Sequence, residues 1–162
     1  MALRTIITEG DPVLNKVSRP VEKFDQRLHD LMDDLKETLA DSNGVGLAAP
    51  QIGILRRAVV VMDEDDNVIE LINPTIIKAE GEQTGLEGCL SVPGKYGVVT
   101  RPMYVTVRAQ DRYGETFEVS GEEIVARCFC HELEHLDGHL FVERTQQLYT
   151  VEELEAMEAE KE

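Results

Sequence analysis

Tryptophan is absent from this chain, and aromatic residues of any kind make up only 5% of its 162 residues. Basic residues are also scarce: sixteen Lys and Arg stand against thirty-two Asp and Glu, a formal net charge of -16. That balance excludes a broad nucleic-acid face or an anionic-membrane surface, since both need clustered positive charge. No apolar run approaches the length of a membrane span. The opening Met1-Ala2-Leu3-Arg4-Thr5-Ile6-Ile7 is followed at once by Glu9 and Asp11 and lacks the apolar stretch of a secretory signal. Cysteine is limited to Cys89, Cys128 and Cys130, an odd number. The expectation is a cytoplasmic protein with reduced thiols, in which spaced Cys and His point to metal or catalysis before disulfides.

What is present is ordinary globular material, 42% apolar and 30% charged. A chain of this length is expected to form one domain, 1–162, with a core that needs no staple. From Asp25 to about Ser42, Leu28, Leu31, Met32, Leu35 and Leu39 recur at three- and four-residue spacing, which predicts an amphipathic helix ended by Asn43-Gly44. The period then changes. Arg57–Val61 and Val68–Ile72 read as short β-branched strands across an acidic turn, the second closed by Asn73-Pro74. Tyr104–Ala109 and Thr116–Val119 flank Asp111-Arg112-Tyr113-Gly114 as a hairpin. Ser120 with Glu123 three residues on is a capping-box pattern opening a helix through Cys128 to His135, ending near Gly138. The segment from about 150 to 162 carries, from Val151 on, six Glu against one Lys, so -5 of the charge, and reads as a helix or an acidic tail. The expected class is α+β: short, mainly antiparallel strands around a central helix, with an N-terminal amphipathic helix.

That central helix carries the strongest chemical signal, His131-Glu132-Leu133-Glu134-His135. Histidines four apart share one helix face and can reach one ion, with the intervening glutamate beside it to hold the proton of a water. A buried helix has little reason to carry such groups unpaired. A third ligand is required. Position 141, where an extended zincin pattern would place a histidine, is Phe141, and His139 lies beyond Gly138 as a surface or loop residue. The candidates are Glu152, Glu153, Glu155 or a cysteine. Cys89, in Glu87-Gly88-Cys89-Leu90-Ser91-Val92-Pro93, stands at the end of a strand between glycine and proline. Cys128 reads as a small buried hydrophobe, and Cys130 as buried or a bystander. Gly44-Val45-Gly46-Leu47-Ala48-Ala49-Pro50-Gln51 is too apolar for a flexible connector; its glycines permit close backbone approach to a ligand, with Gln51 as a neutral donor and acceptor.

Taken together and in this order, the Gly44–Gln51 loop, the Glu87–Ser91 segment and the His131–His135 helix resemble the three motifs of the peptide deformylases of bacterial type, and the resemblance spans nearly the whole chain. It implies a metal-dependent hydrolase that removes the formyl group from the N-terminal formyl-methionine of nascent polypeptides. It further implies Cys89, His131 and His135 as metal ligands, Glu132 as general base and acid, and the Gln51 amide with the Leu90 N–H as oxyanion donors. Val45, Gly46, Gln51, Gly88 and Leu90 are the implied substrate contacts. One divalent ion is expected, Fe(II) in the cell, although the donor set also satisfies Zn(II), Ni(II) or Co(II). The implied partners are formyl-methionyl peptides and nascent chains near the ribosome, approached by a monomer that touches neither nucleic acid nor membrane. Cys130 and Glu134 depart from the Gln and Asp common at their positions in the family, which bears on hydrogen bonding around the metal.

Two alternatives stand beside this reading. One is a small metallopeptidase with a glutamate of the C-terminal segment as third ligand. The other is a structural metal module closed by Cys89 and Cys130 around His131 and His135. Neither accounts for the Gly44–Gln51 loop. A Cys–His nucleophilic dyad would leave Glu132 and His135 idle.

Overall fold

The structure is a computed structural model that describes residues 3–160; Met1, Ala2, Lys161 and Glu162 lie outside it. After a short 3-10 turn at Pro12–Asn15, helix α1 runs Gln26–Ser42. Asp25 caps it, its carboxylate accepting from Leu28 N at 3.1 Å, and Asn43 ends it in the left-handed conformation. The strands follow as β1 (Gly46–Ala48), β2 (Ala58–Met62), β3 (Val68–Glu80), β4 (Gln83–Cys89), β5 (Val92–Arg101), β6 (Tyr104–Gln110) and β7 (Thr116–Glu122). Helix α2 (Ile124–Leu136), strand β8 (Leu148–Thr150) and helix α3 (Val151–Glu160) complete the order.

Strands β1-β2-β3-β6-β7 form one sheet in that order, and β4-β5-β8 a second, with every pairing antiparallel. The side-chain period of two explains why β2 is a continuous apolar run. Val59 and Val61 face α2, packing with Leu71, Val107 and Phe129. Ala58 and Val60 face the opposite way onto the leucines of α1. The two helices therefore cover opposite faces of the larger sheet, and α2 is buried between that sheet and the second one.

Two expectations are corrected. Asn73-Pro74 does not close a strand: β3 continues to Glu80 through a register shift between Ile72 and Thr75. Asn73 adopts φ +52 there, its side chain bonding Val21 N, Val21 O and Gln110, so a bulge absorbs the proline that cannot donate to the ladder. Nor is Ser120 part of a capping box. It lies in β7 with its hydroxyl 2.8 Å from that of Thr106 across the hairpin, and α2 starts after Glu123, at φ 55 and without a side-chain cap. The acidic segment is helical through Glu160, and no residue of α3 is buried. No helix among the described residues is long and apolar enough to cross a membrane.

Candidate active site

Helix α2 presents His131, Glu132 and His135 to the interior, all buried. The third contributor arrives from the neighbouring sheet. Strand β4 loses register with β5 between Gly88 and Cys89, and this irregularity at the strand end turns Cys89 toward the helix. The Cys89 sulfur lies 3.4 Å from His135 Nε2, and one ligand atom from each of Cys89, His131 and His135 falls within 4.8 Å of the others. No other such group occurs among the described residues. Cys130 is buried in the main core, and the exposed His139 bonds Glu143 at 3.1 Å. Glu152, Glu153 and Glu155 sit on α3, outside the cluster. The geometry therefore supports neither a glutamate third ligand nor a Cys130-closed module.

The donor set fits a divalent ion of intermediate softness: one thiolate and two imidazoles, with room for a further ligand. Burial, together with neighbouring His131, pushes His135 well below the ordinary imidazole pKa, into the neutral form that donates a lone pair. His131 Nδ1 is engaged by Glu87 Oε2 at 2.7 Å, which leaves Nε2 to face the cluster. Burial would lower the His131 pKa, but its Cys89, Glu132 and Glu87 neighbours raise it well above the ordinary imidazole value, so an ion binds there by displacing that proton. Glu132 Oε1 is buried with no partner among the described residues. Burial, assisted by the charge of Glu87 and opposed by that of His131, pushes the Glu132 pKa up to about 7. A carboxyl so placed is poised to accept a proton near neutral pH.

The Gly44–Gln51 loop supplies the facing wall. β1 occupies Gly46–Ala48 and a 3-10 turn Ala49–Ile52, so the loop is ordered and largely buried. Gln51 is fixed at both ends of its amide: Oε1 accepts from Ala48 N at 2.9 Å, and Nε2 donates to Ser91 Oγ at 3.0 Å while lying 3.5 Å from the Cys89 sulfur. A Cβ on Gly46 would stand 2.6 Å from both Cys128 Sγ and Glu132 Oε2, so only glycine lets the strand pass this close to the helix. Cys128 meets the expectation of a buried small residue, and its thiol donates to Val45 O at 3.4 Å. A cleft of about 470 Å3 opens between β1 and β4, and Val45, Gly46, Gln51, Gly88 and Leu90 all border it. Both strands are terminal in their sheets, and among the described residues no further strand pairs with either.

Three residues of the site were not singled out from the sequence. Glu87 orients His131, Arg101 grips Glu87 through Nη2–Oε2 at 2.7 Å and Nε–Oε1 at 3.2 Å, and Ser91 holds Gln51. Glu87 and Ser91 each lie two residues from Cys89. The unused ring nitrogen of a ligand histidine requires an acceptor, and that requirement was the available signal for Glu87.

A His-Glu-x-x-His helix joined by a strand-end thiol around one ion position, with a buried carboxylate beside it, defines a metal-dependent hydrolase. The family model for polypeptide deformylase matches residues 3–151. The peptide deformylase of Agathobacter rectalis is 58% identical over 146 residues, 90% of this chain and 92% of that protein. The crystal structure of the Legionella pneumophila peptide deformylase superposes with a TM-score of 0.87 at 42% identity, covering 99% of this chain and 92% of that one. That of Thermotoga maritima gives 0.86 at 37% identity, over 91% and 100%. The chain belongs to the polypeptide deformylase family.

Proposed function

We propose that this chain deformylates nascent polypeptides: it hydrolyses the N-formyl amide of the N-terminal formyl-methionine and releases formate. Cys89, His131 and His135 are assigned as ligands of one divalent ion. When bound, that ion supplies Lewis acidity and lowers the pKa of a coordinated water. Glu132 takes the proton from the attacking water, and the water oxygen bonds to the formyl carbon. The charge developing on the formyl oxygen is met by the Gln51 amide, held in place by Ala48 and Ser91, and by the Leu90 N–H. As the C–N bond breaks, Glu132 returns its proton to the departing amine, so the residue starts and finishes the cycle ionised. Val45, Gly46 and Gly88 hold the peptide backbone along the two strand edges, and the apolar walls formed by Leu86 and Ile124 receive the methionine side chain.

The observation that carries this reading is the juxtaposition of the buried Glu132 carboxylate, whose Oε1 has no partner among the described residues, with the Cys89–His131–His135 cluster and the clamped Gln51. The test is formate release from a short formyl-Met peptide by protein purified without oxygen. Glu132→Ala is expected to keep its metal and to lose activity by about a thousandfold. No release from a fully metallated wild type would overturn the reading.

Iron(II) is the ion we assign in the cell, and its signature is activity lost in air and kept under argon. Equal lifetimes would instead favour a redox-inert ion such as zinc. We assign the chain as one catalytic domain, 1–162, working as a cytoplasmic monomer on chains emerging near the ribosome. The -16 charge supports recognition of the peptide rather than of nucleic acid.

A further inference from the structure

We propose that Glu134, backed by Arg144, is a positioning residue of the metal centre, closing a ring of side chains that fixes the strand carrying Cys89 against the helix carrying His131 and His135. The inference rests on the assignment of those three residues as ligands.

The ring starts at His131, whose Nδ1 meets Glu87 Oε2 on β4. Arg101, on β5, takes both oxygens of Glu87 with Nε and Nη2, which sets the plane of that carboxylate. Its remaining fork nitrogen, Nη1, donates to Glu134 Oε1 at 2.5 Å. Glu134 stands three residues after His131 on α2, on the same side of the helix, so the circuit returns to the element where it began. Arg101 is 2% exposed, so its orientation depends on these carboxylates and not on water. Arg144, from the 3-10 turn Phe141–Arg144, binds the other oxygen of Glu134 from the outside and is 52% exposed.

A closed ring constrains more than an open chain of the same contacts. Glu87 also accepts from Arg127 Nη1 on α2 at 3.0 Å, so without Glu134 it keeps its ties to the helix through His131 and Arg127, while Arg101 is left with Glu87 alone and can pivot about that carboxylate. Glu87 is two residues before Cys89 on β4, so pivoting there changes the distance between the thiol and the two imidazoles. Glu134 reaches Arg101 with one carboxylate oxygen and Arg144 with the other.

The test reads zinc affinity, by competition against a chromophoric chelator, alongside thermal unfolding and circular dichroism. Glu134→Gln is expected to bind zinc about tenfold more weakly. In a Glu87→Gln background the same substitution is expected to change zinc affinity no further, because the ring is already open. A merely structural Glu134 would lower stability in both backgrounds and leave zinc affinity untouched in each. Wild-type affinity in Glu134→Gln, or an equal loss in both backgrounds, overturns the proposal. Arg144→Met, at an exposed position that does not threaten folding, is expected to weaken zinc by about threefold; no change there removes Arg144 from the ring's support. Formate release is read separately. A wild type that binds zinc tightly but releases no formate overturns the deformylase reading and leaves the ring standing on its metal readout.

Discussion

Glu87 Oε2 and His131 Nδ1 lie 2.7 Å apart, and this contact makes Glu87 an unusually strong acid. Burial alone would raise its pKa; the hydrogen bonds and charges of His131 and Arg101 outweigh burial and lower it from 4.5 to about 2. A carboxylate with a depressed folded-state pKa contributes stability above its unfolded value, and that contribution is lost as pH falls through the folded one. The window therefore runs from pH 4.5 down to about 2. Across it, denaturant melts of the metal-free protein should show the wild type losing on the order of 3 kcal/mol more than Glu87→Gln. Parallel losses would show that another group titrates.

Gly46→Ala should separate packing from chemistry. The new methyl would lie 2.6 Å from both the Cys128 sulfur and the Glu132 carboxylate. Overpacking of this kind costs about 1–3 kcal/mol, and displacing Glu132 should cost turnover about a hundredfold. Adding Cys128→Ala makes room for the methyl on one side only. Thermal melts of the double variant should therefore recover while formate release stays low. Full recovery of both would mean that Gly46 serves packing alone.

Metal removal is expected to leave the fold in place. The two large cores pack α1 and α2 on opposite faces of the five-stranded sheet and do not include Cys89. Far-ultraviolet circular dichroism should be unchanged by a chelator that abolishes formate release, and activity should return when the ion is restored. Unfolding on chelation would identify a structural metal instead.

Truncation after Thr150 tests the exclusion of α3 from the metal site. No residue of α3 is buried, so its loss should change stability by less than about 0.5 kcal/mol. Metal content should stay the same. A truncated chain that lost its ion would return Glu152, Glu153 or Glu155 to the ligand set.

Much of the site was legible because its chemistry is carried by local motifs. The four-residue spacing of His131 and His135 survives folding by helix geometry alone, and the leucine period of α1 is a one-dimensional record of a buried face. Cys89 was one of several possible ligands on residue type, and only its position at the irregular end of β4 brings it to the cluster. Arg101 was invisible for a related reason. Its partner Glu87 is fourteen residues away, and the two strands that join them, β4 and β5, contain Gly85, Gly88, Gly94 and Gly97, which suppress the strand signal. Asn73-Pro74 and the Ser120/Glu123 pair misled because each is a common local signature that tertiary pairing overrode. The bulge absorbed the first, and the β6–β7 ladder claimed the second.

The cleft is walled by the free edges of β1 and β4, and a strand edge offers only amides and carbonyls. Those groups are the part of a polypeptide that does not vary from one protein to the next. An extended guest lying between two such edges is gripped through its own repeating backbone, while side chains beyond the first point alternately away from the walls. On the function proposed above, selectivity would fall on the first residue and its formyl cap, and the remainder of the guest would pass without being read.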